Sequence, residues 1–139
     1  MSDKAGWIGV DLDGTLAHYD GWVSPDNIGA PIVPMVERVK KWLRWGRDVR
    51  IFTARVWPYS HVEHDRSVLR LLDIPERLDH TRVNEANRAV VAIHDWCVAH
   101  IGYPLALTCV KDIHMIELWD DRAIEVLRNV GHPRREMPA

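Results

Sequence analysis

Short apolar runs that stop abruptly at polar residues constrain the fold of this chain more than any other feature. The run Trp7–Val10 stops at Asp11, and the segment Val49–Phe52, apolar except for Arg50, stops at Thr53. Runs of this length are typical of strands that are buried on both faces of a parallel sheet. We therefore expect the chain to build its core around such a sheet.

Helical periodicity fills the intervals between the strands. In Ile32–Trp45 the apolar residues recur at three- and four-residue spacing, and Gly46 follows as a helix stop. Two further strands are predicted at Leu105–Val110 and Met115–Trp119, and three further helices at Ser60–Leu72, at Asn84 or Glu85 to His100, and at Arg122–Asn129. This order predicts an α/β fold, a Rossmann-like three-layer sandwich with a mainly parallel central sheet.

Size and composition favour one soluble domain. The chain has 139 residues, of which 47% are hydrophobic and 27% charged, so we expect a single domain over 1–139 with a loose tail at 131–139. It shows neither a signal peptide nor a run long enough to span a bilayer, which predicts a cytoplasmic protein without a membrane partner. The net charge of −2 does not indicate nucleic acid as a partner, although a local basic patch stays open. The sequence does not determine the oligomeric state, and a homo-oligomer is one of the possibilities.

Each predicted strand is followed by residues of a type that takes part in catalysis. In open α/β sheets, ligands bind beyond the carboxyl ends of parallel strands, which meet at one edge. In chain order these residues are Asp11 and Asp13, then Thr53 and Arg55, then Lys111, and finally Asp120 and Asp121. Their convergence predicts a site at that edge.

The segment Asp11-Leu12-Asp13-Gly14-Thr15 carries the strongest signal. An aspartate attacks phosphorus well when the charge on phosphate is screened, and a second acid two residues on can protonate the leaving oxygen. Gly14 allows the tight turn that this arrangement needs. The alternative is a pair of aspartates that only cap a turn.

The other candidate residues give weaker signals when each is taken alone. Thr53 can donate its hydroxyl to a phosphate oxygen or cap a turn, and Arg55 can bind substrate or lie on the surface. Lys111 can neutralise charge beside Asp11 or be a solvated turn lysine. Asp120 and its neighbour can hold Mg²⁺, cap a helix, or do both. In predicted loops near this site, Trp22 and Trp57 are the tryptophans that we expect to touch substrate.

The segments DLDGTL, FTAR and WDDRA, together with Lys111, resemble the four motifs of the haloacid dehalogenase superfamily of phosphohydrolases. The resemblance extends over Trp7–Val130. Within this range, the segment VKDIHMIELWDDRA resembles small members of the superfamily that phages and prophages encode. It implies that Asp11 is the nucleophile and that Asp13 is first the general acid and then the base. It also implies that Thr53 and Lys111 hold the phosphoryl oxygens.

The same resemblance implies one Mg²⁺ ion as cofactor. Its ligands would be the Asp11 carboxylate, the Asp13 backbone carbonyl and Asp120, with Asp121 nearby. The intervals between the motifs are too short for a cap domain, so we expect an open, capless site. Such a site suits the phosphorylated end of a macromolecule, or else needs a partner subunit as a lid. The phosphorylated substrate can thus be a small molecule or a macromolecular end.

The spacing around Lys111 departs from this pattern. Asp112–His114 is too short for a parallel crossover, which takes about a dozen residues. Either Leu105–Val110 runs antiparallel to the next strand, or its segment is mostly irregular. If Lys111 then faces away from the site, Arg55 or Arg122 would substitute for it.

Three functions are consistent with these residues. The first is a Mg²⁺-dependent phosphomonoesterase that works through an aspartyl-phosphate on Asp11. The second is a nucleic-acid end phosphatase or nucleotidase of the same mechanism, favoured by the open site and by Trp57 and Tyr59. The third is a non-catalytic module that binds phosphate or a partner.

A zinc site at His61 and His64 is weighed and set aside, because no third soft ligand lies nearby.

Overall fold

Four parallel strands form the sheet in this computed structural model, which describes residues 5–57 and 80–136. They are β1 Trp7–Asp11, β2 Asp48–Phe52, β3 Ala106–Thr108 and β4 Met115–Trp119, in the order β3-β2-β1-β4. The α/β class and the parallel sheet are thereby confirmed, and they are compatible with a Rossmann-like sandwich. The finer expectations of three layers and no cap stay predictions. The predicted helix Ser60–Leu72, Tyr59 and the His61–His64 pair lie outside the described residues.

Two helices lie in the crossovers between neighbouring strands. Helix α1 spans Val33–Arg44 between β1 and β2, and helix α2 spans His80–His100 between β2 and β3. Both crossovers move in the same direction along the sheet, so right-handed connections place both helices on one face. The buried core there is one cluster, which includes Ile8, Val10, Val39, Ile51, Ile93 and Cys97. No described helix has the length and apolarity that crossing a membrane requires.

The helix boundaries follow from local chemistry. Helix α1 has a proline in its first turn, where the missing N–H costs no hydrogen bond. It ends where the predicted stop Gly46 adopts a φ of 74°, and the Arg47 N–H closes the turn on the Trp42 carbonyl at 3.0 Å. Helix α2 begins at His80, earlier than predicted, and ends at the expected His100.

The connection from β3 to β4 is short and irregular. It carries the chain from one edge of the sheet to the other through residues 109–114 alone. Strand β3 ends where the Val110 N–H bonds to the Thr108 hydroxyl at 3.0 Å. Further on, Asp112 accepts a hydrogen bond from Trp7 Nε1 at 2.9 Å, and the His114 carbonyl accepts one from the Trp7 N–H. The antiparallel alternative for Leu105–Val110 is therefore wrong. The irregular alternative holds only in part, because Ala106–Thr108 is a strand parallel to β2 and the irregular part is the connection that follows it.

The predicted final helix at Arg122–Asn129 is wrong. Instead, this segment folds back on the residues that follow it. The Leu127 N–H donates to the His132 carbonyl and the Arg134 N–H to the Glu125 carbonyl, both at 2.8 Å. These antiparallel bonds use backbone groups that a helix would need, so the hairpin excludes the helix.

Candidate functional site

The carboxyl ends of β1, β2 and β4 open into a cleft of about 540 Å³. The structure brings most of the predicted site residues to its wall: Asp11, Asp13, Thr53, Arg55, Asp120 and the substitute cation Arg122. A cleft of this size accommodates a small organic ligand. The shared edge of a parallel sheet is what gathers side chains that are distant in the sequence.

Three carboxylates converge beside this cleft. Asp11, Asp120 and Asp121 each offer an oxygen within 4.8 Å of the others. The half-buried position of Asp11 raises its pKa to about 7, helped by a hydrogen bond with Asp121 and by the negative charges of Asp120, Asp121 and Asp13. The cluster thus holds more negative charge than its surroundings stabilise.

The turn after β1 holds Asp121 against the strand. Gly14 has a φ of 89°, and a Cβ there would lie 2.5 Å from Asp121 Oδ2. The Thr15 hydroxyl accepts the Asp121 N–H at 3.1 Å and lies 3.5 Å from Asp11 Oδ2. Thr15 was not among the site residues predicted from the sequence. The feature of the sequence that could have indicated Thr15 is its hydroxyl, which directly follows the turn glycine Gly14.

Arg55 is bound to protein atoms through all five of its side-chain N–H groups. Two of them donate to the Asp13 carboxylate at 2.7 and 2.9 Å. The other three donate to the carbonyls of Ser24, Pro25 and Asn27 at 2.9 to 3.1 Å. Because this side chain is only 4% exposed, it holds Asp13 and segment 24–27 together and has no donor to spare for the substrate that we predicted it to bind.

Thr53 performs the capping role that was the alternative for it. Its hydroxyl accepts the Arg55 N–H at 3.2 Å and so caps a 3-10 turn at Ala54–Val56. The side chain is buried but still lines the cleft. The described residues offer no acceptor for its own hydroxyl hydrogen, which therefore remains able to donate to a phosphate oxygen.

The structure does not bring Lys111 to the cleft. After β3 the chain turns back towards the amino end of β1, where Asp112 bonds to Trp7, and Lys111 is exposed on that path. Arg122 lies instead on the cleft wall, and within residues 5–57 and 80–136 no acceptor pairs with its guanidinium group. Its backbone N–H bonds to Asp120 Oδ1 at 2.8 Å.

Aromatic side chains complete the cleft wall. Trp22 and Trp57 line it, as the sequence led us to expect, and Tyr19 lines it as well. Arg82 and Glu85 reach the cleft from the first turns of α2. These two were not predicted as site residues, because the predicted helix began only at Asn84 or Glu85 and nothing local to them indicates a site.

No protein-family model matches the chain, and neither a curated protein nor a solved structure is significantly similar to it. These comparisons therefore assign neither a family nor an activity. The resemblance to the haloacid dehalogenase superfamily stays a prediction from four short motifs. The function has to be argued from the geometry of the site.

Proposed function

We propose that this protein is a Mg²⁺-dependent phosphomonoesterase in which Asp11 is the nucleophile. The convergence of Asp11, Asp120 and Asp121 at the carboxyl edge of the sheet carries the proposal. Among the described residues, no lysine or arginine forms an ion pair with any of the three. Clustered carboxylates without a protein cation are costly unless a bound ion offsets their charge.

The donor set fits magnesium. Carboxylate and carbonyl oxygens are the ligands that Mg²⁺ prefers, and the cluster offers no sulfur or nitrogen donor. Asp11 and Asp120 would hold the ion with the Asp13 backbone carbonyl, as the motif resemblance implies, and Asp121 would stand beside them. A bound Mg²⁺ would offset the charge of the carboxylates and of the phosphoryl group.

The reaction uses the two acids of the turn after β1. A carboxylate oxygen of Asp11 forms a bond to phosphorus while the ester P–O bond breaks. The departing oxygen takes a proton from Asp13, as the motif resemblance implies. Because Arg55 donates to both carboxylate oxygens of Asp13, that proton has to sit on a lone pair outside the two Arg55 bonds. Water then attacks the phosphorus of the aspartyl-phosphate while Asp13 accepts a proton from that water. Phosphate leaves with its new oxygen, and Asp11 regains its carboxylate.

Two further residues complete the proposed site. The Thr53 hydroxyl donates to one phosphoryl oxygen, and Arg122 supplies the positive charge that the motif resemblance assigned to Lys111. Support for Arg122 comes from its place on the cleft wall and from its guanidinium group, which pairs with no acceptor among the residues that the structure describes. Arg55 acts on the reaction through Asp13, which it holds by two hydrogen bonds.

The test is release of inorganic phosphate from sugar phosphates, nucleotides and phosphorylated oligonucleotides, with Mg²⁺ and with chelator. Asp11→Asn should abolish turnover, whereas Asp95→Asn should leave it intact, because Asp95 lies on α2 outside the cleft. During turnover, borohydride should reduce an acyl-phosphate on Asp11, a change that peptide mass spectrometry detects. Activity that survives Asp11→Asn would refute the assignment.

A non-catalytic role predicts a different outcome of the same experiment. If the cleft only binds phosphate compounds, Mg²⁺-dependent binding will be measurable while no phosphate is released from any compound tested. The proposal would then fail for catalysis but not for the metal site. Wild-type protein that neither binds nor hydrolyses these compounds would refute both.

A further inference from the structure

Trp22 exposes an aromatic ring to the cleft. Its side chain is 56% exposed, the glycine before it has a φ of 129°, and it lines the same cleft as Asp11. An exposed tryptophan on a surface is common, but one on the wall of a charged cleft presents a flat apolar surface to whatever ligand enters.

One face of this ring is backed by an immobile cation. The Arg55 guanidinium carbon lies 4.9 Å from the centre of the Trp22 ring. Since every N–H of Arg55 is hydrogen-bonded and the side chain is 4% exposed, the guanidinium group cannot follow a ligand. It therefore fixes the ring before any ligand arrives, and this lowers the entropy cost of stacking against it.

Trp57 adds a second aromatic surface to the same cleft. Arg82 stacks on it at 5.3 Å from the ring centre, so it too is paired with a guanidinium group. A ligand in the cleft thus meets two tryptophans and the acidic cluster together. Trp22 and Asp11 line the same cleft, whose volume of about 540 Å³ is that of a site for one small organic ligand.

We propose that the phosphorylated substrate is a nucleotide whose base stacks on Trp22, an inference that rests on the proposed phosphatase function. Stacking on tryptophan is favourable for every base, because each has a π-face. A sugar would present polarised C–H bonds, which prefer an electron-rich ring. The positive charge of the Arg55 guanidinium group attracts the π-electrons of Trp22 and lowers the electron density on the opposite, open face of the ring. That face therefore suits a π-rich base better than a sugar.

The nucleotide can be a free mononucleotide or the phosphorylated end of a single strand, since both present the same base and phosphate. The experiment compares them directly. Hydrolysis of AMP, of a 5′-phosphorylated trinucleotide and of glycerol 2-phosphate is measured with Mg²⁺. The ratio of kcat/KM for AMP to that for glycerol 2-phosphate reports the contribution of base stacking. The kcat/KM for the trinucleotide, compared with that for AMP, distinguishes a strand end from a free mononucleotide as the substrate.

Trp22→Ala should lower this ratio about 5- to 150-fold, the range that the loss of one base–aromatic stack spans. Trp22→Phe should keep most of it, because a smaller ring still stacks. Trp45→Ala is the matched control: Trp45 is 46% exposed and has Lys41 over its ring at 4.7 Å, but it lies outside the cleft. An unchanged ratio in Trp22→Ala would overturn the proposal.

A binding measurement separates this failure from failure of the proposed function. AMP bound to Asp11→Asn protein should show upfield-shifted adenine proton signals from ring stacking, and these shifts should vanish in the double variant that also carries Trp22→Ala. Hydrolysis of glycerol 2-phosphate without such shifts would refute the nucleotide and keep the phosphatase. Shifts without any hydrolysis by the wild type would keep the nucleotide site and refute the phosphatase.

Discussion

Replacing Asp11 by asparagine should stabilise the metal-free protein at pH 8. The pKa of this carboxyl group is raised from 3.8 to about 7, mainly by burial and then by Asp121 and the neighbouring charges. The folded chain therefore binds this proton more tightly than the unfolded chain does. The stability that the bound proton contributes is complete below the unfolded pKa of 3.8 and is lost as the pH rises to about 7. Asparagine keeps the shape of the neutral acid at every pH.

The size of the effect follows from the two pKa values. Their difference corresponds to about 4 kcal/mol without solvent screening. Because Asp11 is only half-buried, water screens much of this, and roughly 1–2 kcal/mol remains. For a chain of this length the melting temperature should rise by about 3–8 °C.

The assay is thermal unfolding followed by circular dichroism, with chelator present, at pH 5 and at pH 8. Asp11→Asn should raise the melting temperature at pH 8 and raise it by less at pH 5, where the folded wild type still holds the Asp11 proton but the unfolded chain has lost most of it. Asp95→Asn removes an exposed carboxylate outside the cluster and should change neither value. Equal stabilisation at both pH values would refute the reasoning, since the gain would then not come from charge.

Adding Mg²⁺ should reduce or cancel the difference in melting temperature between Asp11→Asn and the wild type at pH 8. An ion present at ten times its dissociation constant stabilises the folded state by about 1.4 kcal/mol, and Asp11→Asn should forfeit most of that gain. At pH 5 the ion should help the wild type less, because protons compete for the same oxygens. A Mg²⁺ response that is identical in Asp11→Asn would remove Asp11 from the metal site.

Three further perturbations test the surroundings of the site. Gly14→Ala should destabilise more than Gly21→Ala, by on the order of 1–3 kcal/mol in thermal unfolding, because both glycines have positive φ but only Gly14 has Asp121 within reach of a Cβ; equal losses would leave only backbone strain. Trp7→Phe should lower the free energy of unfolding by roughly 2–3 kcal/mol, because it loses the hydrogen bond to Asp112 and leaves unfilled volume at a side chain that is only 1% exposed, whereas Trp45→Phe should cost almost nothing in the same measurement. Burial raises the pKa of the Cys97 thiol, so a thiol reagent should label Cys109 first and Cys97 only in denaturant, and equal labelling rates in the native protein would contradict the buried position.

The elements that local chemistry controls could be predicted from the sequence. The run Trp7–Val10 had to be a buried strand, and the glycine that follows Asp13 had to permit a turn. The parallel arrangement then brought Asp120 to Asp11 because both follow strands of the same sheet. Fold class and acidic cluster are thus consequences of patterns within about five residues of each strand end.

The route from β3 to β4 could not be predicted in this way. A crossover of about a dozen residues is needed when a helix must fit between strands. An extended segment covers about 3.3 Å per residue, so the seven steps from Thr108 to Met115 reach roughly 23 Å. They have to cross three strand spacings of about 14 Å and also return along the strands by four residues (11 − 7), about 13 Å, because Thr108 is level with Asp11 and Met115 with Trp7. The diagonal is roughly 19 Å, which the extended segment just spans. The antiparallel alternative for Leu105–Val110 was wrong because it rested on the assumption that every parallel connection contains a helix. The helix at Arg122–Asn129 failed because apolar spacing does not reveal that the following residues will pair with it.

That same short route explains the electrostatics of the candidate site. By returning across the sheet towards Trp7, the chain carries Lys111 away from the carboxyl edge, so no lysine from this segment offsets the charge on Asp11. A cation beside Asp11 would lower its pKa, whereas burial and the neighbouring carboxylates raise the pKa of Asp11 to about 7. The remaining positive charge on the cleft wall near Asp120 is Arg122, which is exposed to solvent. On the proposed function, a bound cation would supply the compensation that this charge balance lacks, and for this reason we expect the activity to depend on the metal more strictly than in a site that carries its own buried lysine.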